Sequence, residues 1–224
     1  MAGGGTAFDS APRADGYRSM SGCLYAGGNA YSQPVMSWDA GSSDEELMLC
    51  YRDGDAGAFD VLYERHRGGV YRYFLRQCRN AAVAEELFQD VWMNLIRARA
   101  AYAVRAKFST YLYRLAHNRL VDHYRQRQPA AGGDVAEDCD VLESVPDERV
   151  RPAEVLLDLK EQAARLMALI AELPQEQREA FLLQQEGGLT IEEIASATGV
   201  PPETAKSRLR YALAKLRRGM APWR

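Results

Sequence analysis

The chain has 224 residues, 47% of them hydrophobic, which is ordinary for a globular protein and long enough for two small domains. Its 28 Lys and Arg against 31 Asp and Glu leave a formal net charge of −3, a sum that looks wrong for a nucleic-acid binder until the charge is located along the chain. No apolar run approaches a membrane span, the first residues lack the basic-then-apolar order of a secretory signal, and Cys23, Cys50, Cys78 and Cys139 show neither a C-x-x-C nor a close His partner, so insertion, export and a zinc site are set aside.

Residues 1–42 are rich in Gly, Ser and Ala with isolated aromatics and no period, and are expected to be disordered; Met20 and Met36 offer alternative starts. Folded sequence begins at Ser43 or Asp44, a cap and acidic first turn ahead of Leu47, Met48 and Tyr51, and Asp53-Gly54-Asp55 breaks that helix. A second helix over 56–79 places Phe59, Leu62, Tyr63, Val70, Tyr73 and Phe74 at helical spacing and stops at Asn80. The third, over 81–99, has Val83, Leu87, Val91 and Leu95 in steps of four, flanked by Phe88, Trp92 and Ile96. These three should pack together, with Cys50 and Cys78 as small core residues.

After a loop over 101–107, a fourth helix runs from near Ser109 to Arg127 with Leu112, Leu115, Ala116 and Leu120 inward, ended by Pro129 and the Ala130-Ala131-Gly132-Gly133 run. Residues 129–152 are acidic and read as a linker. A fifth helix over 153–173 is stopped by Pro174, and a sixth over 176–186 is closed by Gly187-Gly188. Thr190 with Glu193 forms a capping box, which starts a seventh helix whose stripe is Ile191, Ile194 and Ala195; Gly199 supplies the left-handed residue that ends it. Pro201 and Pro202 open an eighth helix, where a missing N–H costs nothing. Its apolar stripe is Ala205, Leu209, Leu213 and Leu216, leaving Lys206, Ser207, Arg210 and Tyr211 on the other side. No strand pattern or repeat appears. The expected fold is all-α: two small helical domains, residues 43–128 and 153–224, joined by a flexible acidic linker.

Charge is partitioned along this order. Between residues 97 and 127 the bases are Arg97, Arg99, Arg105, Lys107, Arg114, Arg119, Arg125 and Arg127 against one acid, Asp122. From 203 to 224 there are seven bases, among them Arg208, against Glu203 alone. A merely solvated face would mix its signs. The first block is interleaved with Tyr102, Phe108, Tyr111, Tyr113 and Tyr124, and cations that follow phosphates among aromatic faces that stack on bases suit melted strands better than intact duplex. The last two helices, a short pair about a tight turn, suit a major groove. Glu85, Glu86, Gln89, Asp90 and Asn94 make an acidic face on the third helix, which either docks a basic protein or is plain solvated surface.

Asp44-Glu45-Glu46-Leu47-Met48, the 84–92 run AEELFQDVW, the 108–118 run FSTYLYRLAHN, and Leu173-Pro174 through Thr190-Ile191-Glu192-Glu193-Ile194-Ala195 to Thr204-Ala205-Lys206-Ser207-Arg208-Leu209 resemble the extracytoplasmic-function type of sigma-70 family RNA polymerase sigma factors. The resemblance covers about residues 44–128 and 153–219 in the family's order. It implies that 43–128 is region 2 and 153–224 region 4. Glu85, Glu86, Gln89, Asp90 and Trp92 then match the helix that docks on the β′ clamp helices of core RNA polymerase. Tyr102, Phe108 and Asn118 match the surroundings of a loop that captures a flipped base of the −10 element, and Arg114, Arg119, Asp122, His123 and Arg125 the −10 recognition helix. Lys206, Ser207, Arg208, Arg210 and Tyr211 match the −35 reading face. Where the family commonly has Trp this chain has Tyr111, and Tyr211 stands where Arg or His is frequent; one hydroxyl in place of a bidentate guanidinium points Tyr211 toward phosphate or sugar.

The function so implied is promoter recognition and melting in the cytoplasm, stress-responsive and controlled by an anti-sigma factor, with core polymerase (β′ clamp helices and β flap) and promoter DNA as partners and no cofactor, metal or membrane insertion. A base trapped outside the duplex would offset an unpairing cost of a few kcal/mol without ATP. Two other classes compete. A stand-alone regulator would bind symmetric half-sites without polymerase, but has no use for the aromatic-basic helix over 108–125. An enzyme would need a phosphate loop or partners for His66, His117 and His123, and the sequence offers neither.

Overall fold

The computed structural model describes residues 41–127 and 153–221, with side chains described over 41–126 and 159–221. Its elements are α1 (Asp44–Arg52), α2 (Ala56–Cys78), α3 (Ala81–Ala98), a 3-10 turn (Arg99–Ala101), α4 (Phe108–Arg127), α5 (Ala153–Ala171), α6 (Gln175–Gly187), α7 (Ile191–Thr198) and α8 (Pro202–Met220), and the described residues contain no strand. The fold is all-α. The expected extension and linker fall outside the described residues, apart from residues 41–42.

Local chemistry sets the boundaries. Ser43 and Glu46 exchange side-chain and backbone hydrogen bonds at the start of α1, and Thr190 and Glu193 do the same for α7. The Asp55 carboxylate accepts from the Gly57 and Ala58 amides to open α2. Gly199 ends α7 at φ 68°. The end of α2 differs from expectation: Arg79 takes the left-handed position at φ 55°, while Asn80 accepts from the Val83 amide and caps α3 instead. A cap bond is worth more to the following helix than the left-handed preference of Asn is to the preceding one.

In the first half, α1, α2, α3 and α4 enclose Leu47, Met48, Leu62, Phe74, Leu87 and Leu95. α1 is tied to the others by charge: Asp44 takes Arg65 at 2.8 Å and His66 Nε2 at 2.7 Å, and the His66 bond holds its carboxyl below the ordinary 3.8. Glu45 accepts the Phe108 amide at 2.6 Å, so a residue of α1 supplies both a hydrogen bond and a negative charge to the first turn of α4.

In the second half, α5, α6 and α7 pack on α8. The seam of α8 is Ala205, Leu209, Ala212 and Leu216; Leu213, expected in it, is only partly buried. At 3.6 residues per turn position i+7 stays within about 20° of the starting direction, whereas i+8 swings about 80° away. α6 buries the consecutive residues Glu179, Ala180, Phe181, Leu182 and Leu183, too many for one face, because α8 covers one side and α2 with α4 the other.

Candidate nucleic-acid interface

The last two helices form a compact unit about the Gly199 turn. With its apolar seam turned in, α8 presents Lys206, Arg210 and Tyr211 outward, and Lys215, Arg217 and Arg218 extend the cationic surface toward its C-terminal end. Tyr211 is 52% exposed, and the Arg210 guanidinium stands 5.1 Å from its ring centroid. Stacking and a 3.4 Å hydrogen bond from Nη2 to the Tyr211 hydroxyl restrict the guanidinium and leave its other N–H groups for an acceptor. The other two matched residues are placed differently. Ser207 donates its hydroxyl to the Thr204 carbonyl at 2.9 Å, and Arg208 turns toward α6, 2.9 Å from Glu176, with its side chain 22% exposed.

On α4, Arg114, Asn118, Asp122 and Arg125 recur at i, i+4, i+8 and i+11 and form one exposed strip. Arg119 lies beside it, its Nε donating to Asp90 at 2.6 Å and its Nη2 3.5 Å from Glu86. His123 sits partly buried with its ring 5.9 Å from that of Tyr124. Two matched residues are not on the surface. Phe108 is fully buried, 5.2 Å from the His66 ring, because it starts α4 within the core, and Tyr102 is 6% exposed with its ring 5.4 Å from that of Tyr111. As direct base contacts these positions are corrected to supports, Phe108 for the start of α4 and Tyr102 for the wall of a hollow.

That hollow, about 250 Å³, is lined by Tyr102, Arg105, Thr110, Tyr111, Arg114 and, from α7, Ser196. Its volume is enough for a planar ring, and two of its lining residues, Arg105 and Arg114, are cationic. The hydroxyls of Tyr102 and Thr110 are buried without a protein hydrogen-bond partner among the described residues. Burial pushes the Tyr102 phenol up to about 12. Arg105 and Thr110 were not singled out from the sequence as site residues; the run of small residues over 98–106, which leaves the space, was the available signal.

On α3, Glu85, Glu86, Gln89 and Asn94 are exposed together with Met93 at 45%, so an acidic face with an apolar centre does exist. Asp90 belongs to it but is engaged by Arg119. Trp92 is 4% exposed and meets Tyr63 at 5.0 Å and Phe59 at 5.8 Å. Grouped with the docking surface by motif, it is corrected to a core residue that stiffens the helix from behind, since an indole this size is most favourable against other rings.

An acid-faced helix, a hollow flanked by cations and a capped two-helix unit with a basic outer face define an all-helical DNA-binding protein of the helix-turn-helix kind. The family model for sigma-70 region 2 matches residues 62–129, and that for sigma-70 region 4 matches residues 163–216. The chain is 30% identical over 181 residues to the RNA polymerase sigma factor CarQ of Myxococcus xanthus, covering 76% of this chain and 93% of that protein. It is 35% identical over 178 residues to the ECF RNA polymerase sigma factor RpoE of Cereibacter sphaeroides, covering 78% and 93%. A solved structure of the sigma factor RpoE with the anti-sigma factor NepR from Bartonella quintana shares the fold, with a TM-score of 0.54, 21% identity, and coverage of 73% of this chain and 96% of that one. The chain belongs to the sigma-70 family of RNA polymerase sigma factors, in its extracytoplasmic-function branch. It is thus a transcription initiation factor that acts with core RNA polymerase on promoter DNA.

Proposed function

We propose a division of labour within this sigma factor. Residues 43–128 act as region 2: the acidic face of Glu85, Glu86, Gln89 and Asp90 takes the β′ clamp helices, the strip of Arg114, Asn118, Asp122 and Arg125 follows the −10 element, and the hollow beside Tyr111 receives a base expelled from the duplex. Residues 153–224 act as region 4, with Lys206, Arg210 and Tyr211 against the −35 element and the same domain meeting the β flap. The observation that carries this reading is the segregation on α8 of a buried Ala205-Leu209-Ala212-Leu216 seam from an outward cationic face. Catalysis is left to the polymerase. The protein works in the cytoplasm, is held by an anti-sigma factor as the Bartonella relative is by NepR, and is released under stress.

Run-off transcription with core polymerase and a genomic promoter library tests the class, and the start sites it yields supply the DNA for the rest. Lys206→Ala with Arg210→Ala should weaken −35 duplex binding by about 10- to 100-fold and flatten its salt dependence, with core affinity unchanged. Glu85→Lys with Glu86→Lys should do the reverse, abolishing core binding by charge reversal and sparing the duplex. Equal loss of both activities in either variant would overturn the division.

A further inference from the structure

The Asp44-Glu45-Glu46-Leu47-Met48 run of α1 belongs to neither the promoter faces nor the polymerase face, and it lies upstream of the residues matched to region 2. Leu47, Met48 and Tyr51 go into the core. Three other groups of α1 reach a single stretch of chain, residues 99–108, much of which walls the hollow beside Tyr111.

That stretch has little to hold itself. From Arg99 to Lys107 only Tyr102 is buried, and Ala100, Ala101, Ala103 and Ala106 are all exposed. The Tyr102 amide closes the 3-10 turn on the Arg99 carbonyl at 3.1 Å. Fixing such residues costs backbone entropy that contacts from elsewhere must offset.

α1 supplies those contacts at three points. At the start, the Arg99 guanidinium stands 5.2 Å from the centroid of the Tyr51 ring. In the middle, Arg52 Nη1 donates to the Tyr102 carbonyl at 3.4 Å, and the same side chain is braced by Asp53, to which Nε donates at 2.8 Å. At the end, Glu45 Oε1 accepts the Phe108 amide at 2.6 Å. A bond of that kind, with an ionised acceptor, is stronger than one between neutral groups. α1 is fastened in turn by its Ser43–Glu46 capping box and, through Asp44, to Arg65 and His66 of α2.

The held points coincide with the groups the hollow leaves unsatisfied. Tyr102, whose hydroxyl has no protein partner among the described residues, carries the carbonyl that Arg52 holds. Thr110, whose hydroxyl is in the same condition, follows two residues after the amide that Glu45 holds. A recognition group placed before its ligand arrives spares the ligand the cost of placing it.

We propose that Glu45 and Arg52 are positioning residues for strand capture: α1 splints the stretch over 99–108 and so fixes in advance where the Tyr102 and Thr110 hydroxyls stand in the hollow. The proposal rests on the reading of that hollow as the seat of an expelled base. Neither Glu45 nor Arg52 touches nucleic acid in this scheme, so their loss blunts discrimination at the captured position and leaves general attraction to the strand in place.

The test uses the full chain and the single-stranded non-template −10 sequence of a mapped promoter, intact or with one base at a time removed to leave an abasic sugar, followed by fluorescence anisotropy. At the captured position wild type should bind the intact strand about tenfold more tightly than the abasic one. Glu45→Ala should cut that ratio to about twofold, with −35 duplex binding and helical circular dichroism unchanged. Removing a carboxylate would by itself tighten binding to a polyanion, so the loss cannot come from charge. Glu45→Gln, which keeps an acceptor for the Phe108 amide, should recover most of the ratio. Arg52→Met should lower the ratio to about threefold; it removes a cation, but intact and abasic strands carry the same phosphates and the ratio cancels that change. Should Glu45→Ala lose its helical signal, Arg52→Met takes its place. A wild-type ratio in the substituted chains, an equal loss with intact and abasic strands, or a Glu45→Gln chain as impaired as Glu45→Ala would overturn the proposal. A wild-type chain indifferent to every missing base would instead sink the reading of the hollow as a base site, and the splint with it.

Discussion

α4 and α8 carry similar numbers of basic residues and are assigned to the same promoter, yet they are built on different principles. α8 has neighbours on one side, so its sequence divides into a seam of Ala and Leu and a face of Lys, Arg and Tyr. α4 is covered twice, by α1, α2 and α3 on one flank and by α6 and α7 on the other, which leaves Arg114, Asn118, Asp122 and Arg125, with Gln126, as a narrow open strip. A helix covered on one side only advertises its contact face. A helix between two layers must mix aromatics, a histidine and cations, and its pattern reads as noise until both layers are known.

The contrast can be broken most forcefully at the buried anchors. Phe108→Ala removes a fully buried ring at the start of α4 and should cost about 3–5 kcal/mol, while Leu209→Ala in the single seam of α8 should cost about 2–3 kcal/mol. Urea denaturation followed by circular dichroism measures both, and a larger loss at Leu209 would mean that α4 is the less firmly held helix. A smaller effect should come with alkali. Burial pushes the Tyr102 and Tyr124 phenols from 10.0 up to about 12, so the folded chain favours their protonated form. That contribution is complete below pH 10 and is lost as pH rises from 10 toward 12. Phenolate absorbance should therefore show late-titrating tyrosines, Tyr102 and Tyr124 among them, and a single transition near 10 would contradict the burial of these phenols. The smallest change expected is Arg79→Gly, which relieves the left-handed φ of 55° and should stabilise the chain by roughly 0.5–1 kcal/mol in the same urea experiment.

Much of this was legible beforehand where the cause is local. The Thr190 capping box, the Ser43 cap, the Gly199 turn, the helix order and the face of α8 depend on residues within a few positions of one another. The surface roles given to Trp92, Phe108 and Tyr102 came from matching a motif, and a motif does not say which side of a helix faces the core. Arg208 drew the same limit, since its partner Glu176 lies on another helix. Least legible was the contact between halves. Gly187 was legible as the close of a helix, but a Cβ there would also meet Tyr113, far back in the chain, and Gly69 inside α2 has its reason in Glu186, more than a hundred residues on.

The bond from Arg119 to Asp90 joins a residue proposed to serve nucleic acid to one proposed to serve the polymerase. A single guanidinium therefore has two prospective employers. If a basic partner claims the carboxylates of Asp90 and Glu86, that cation is left without its counterion beside a polyanion, and the enzyme's arrival would strengthen the grip on DNA with no shift of the main chain.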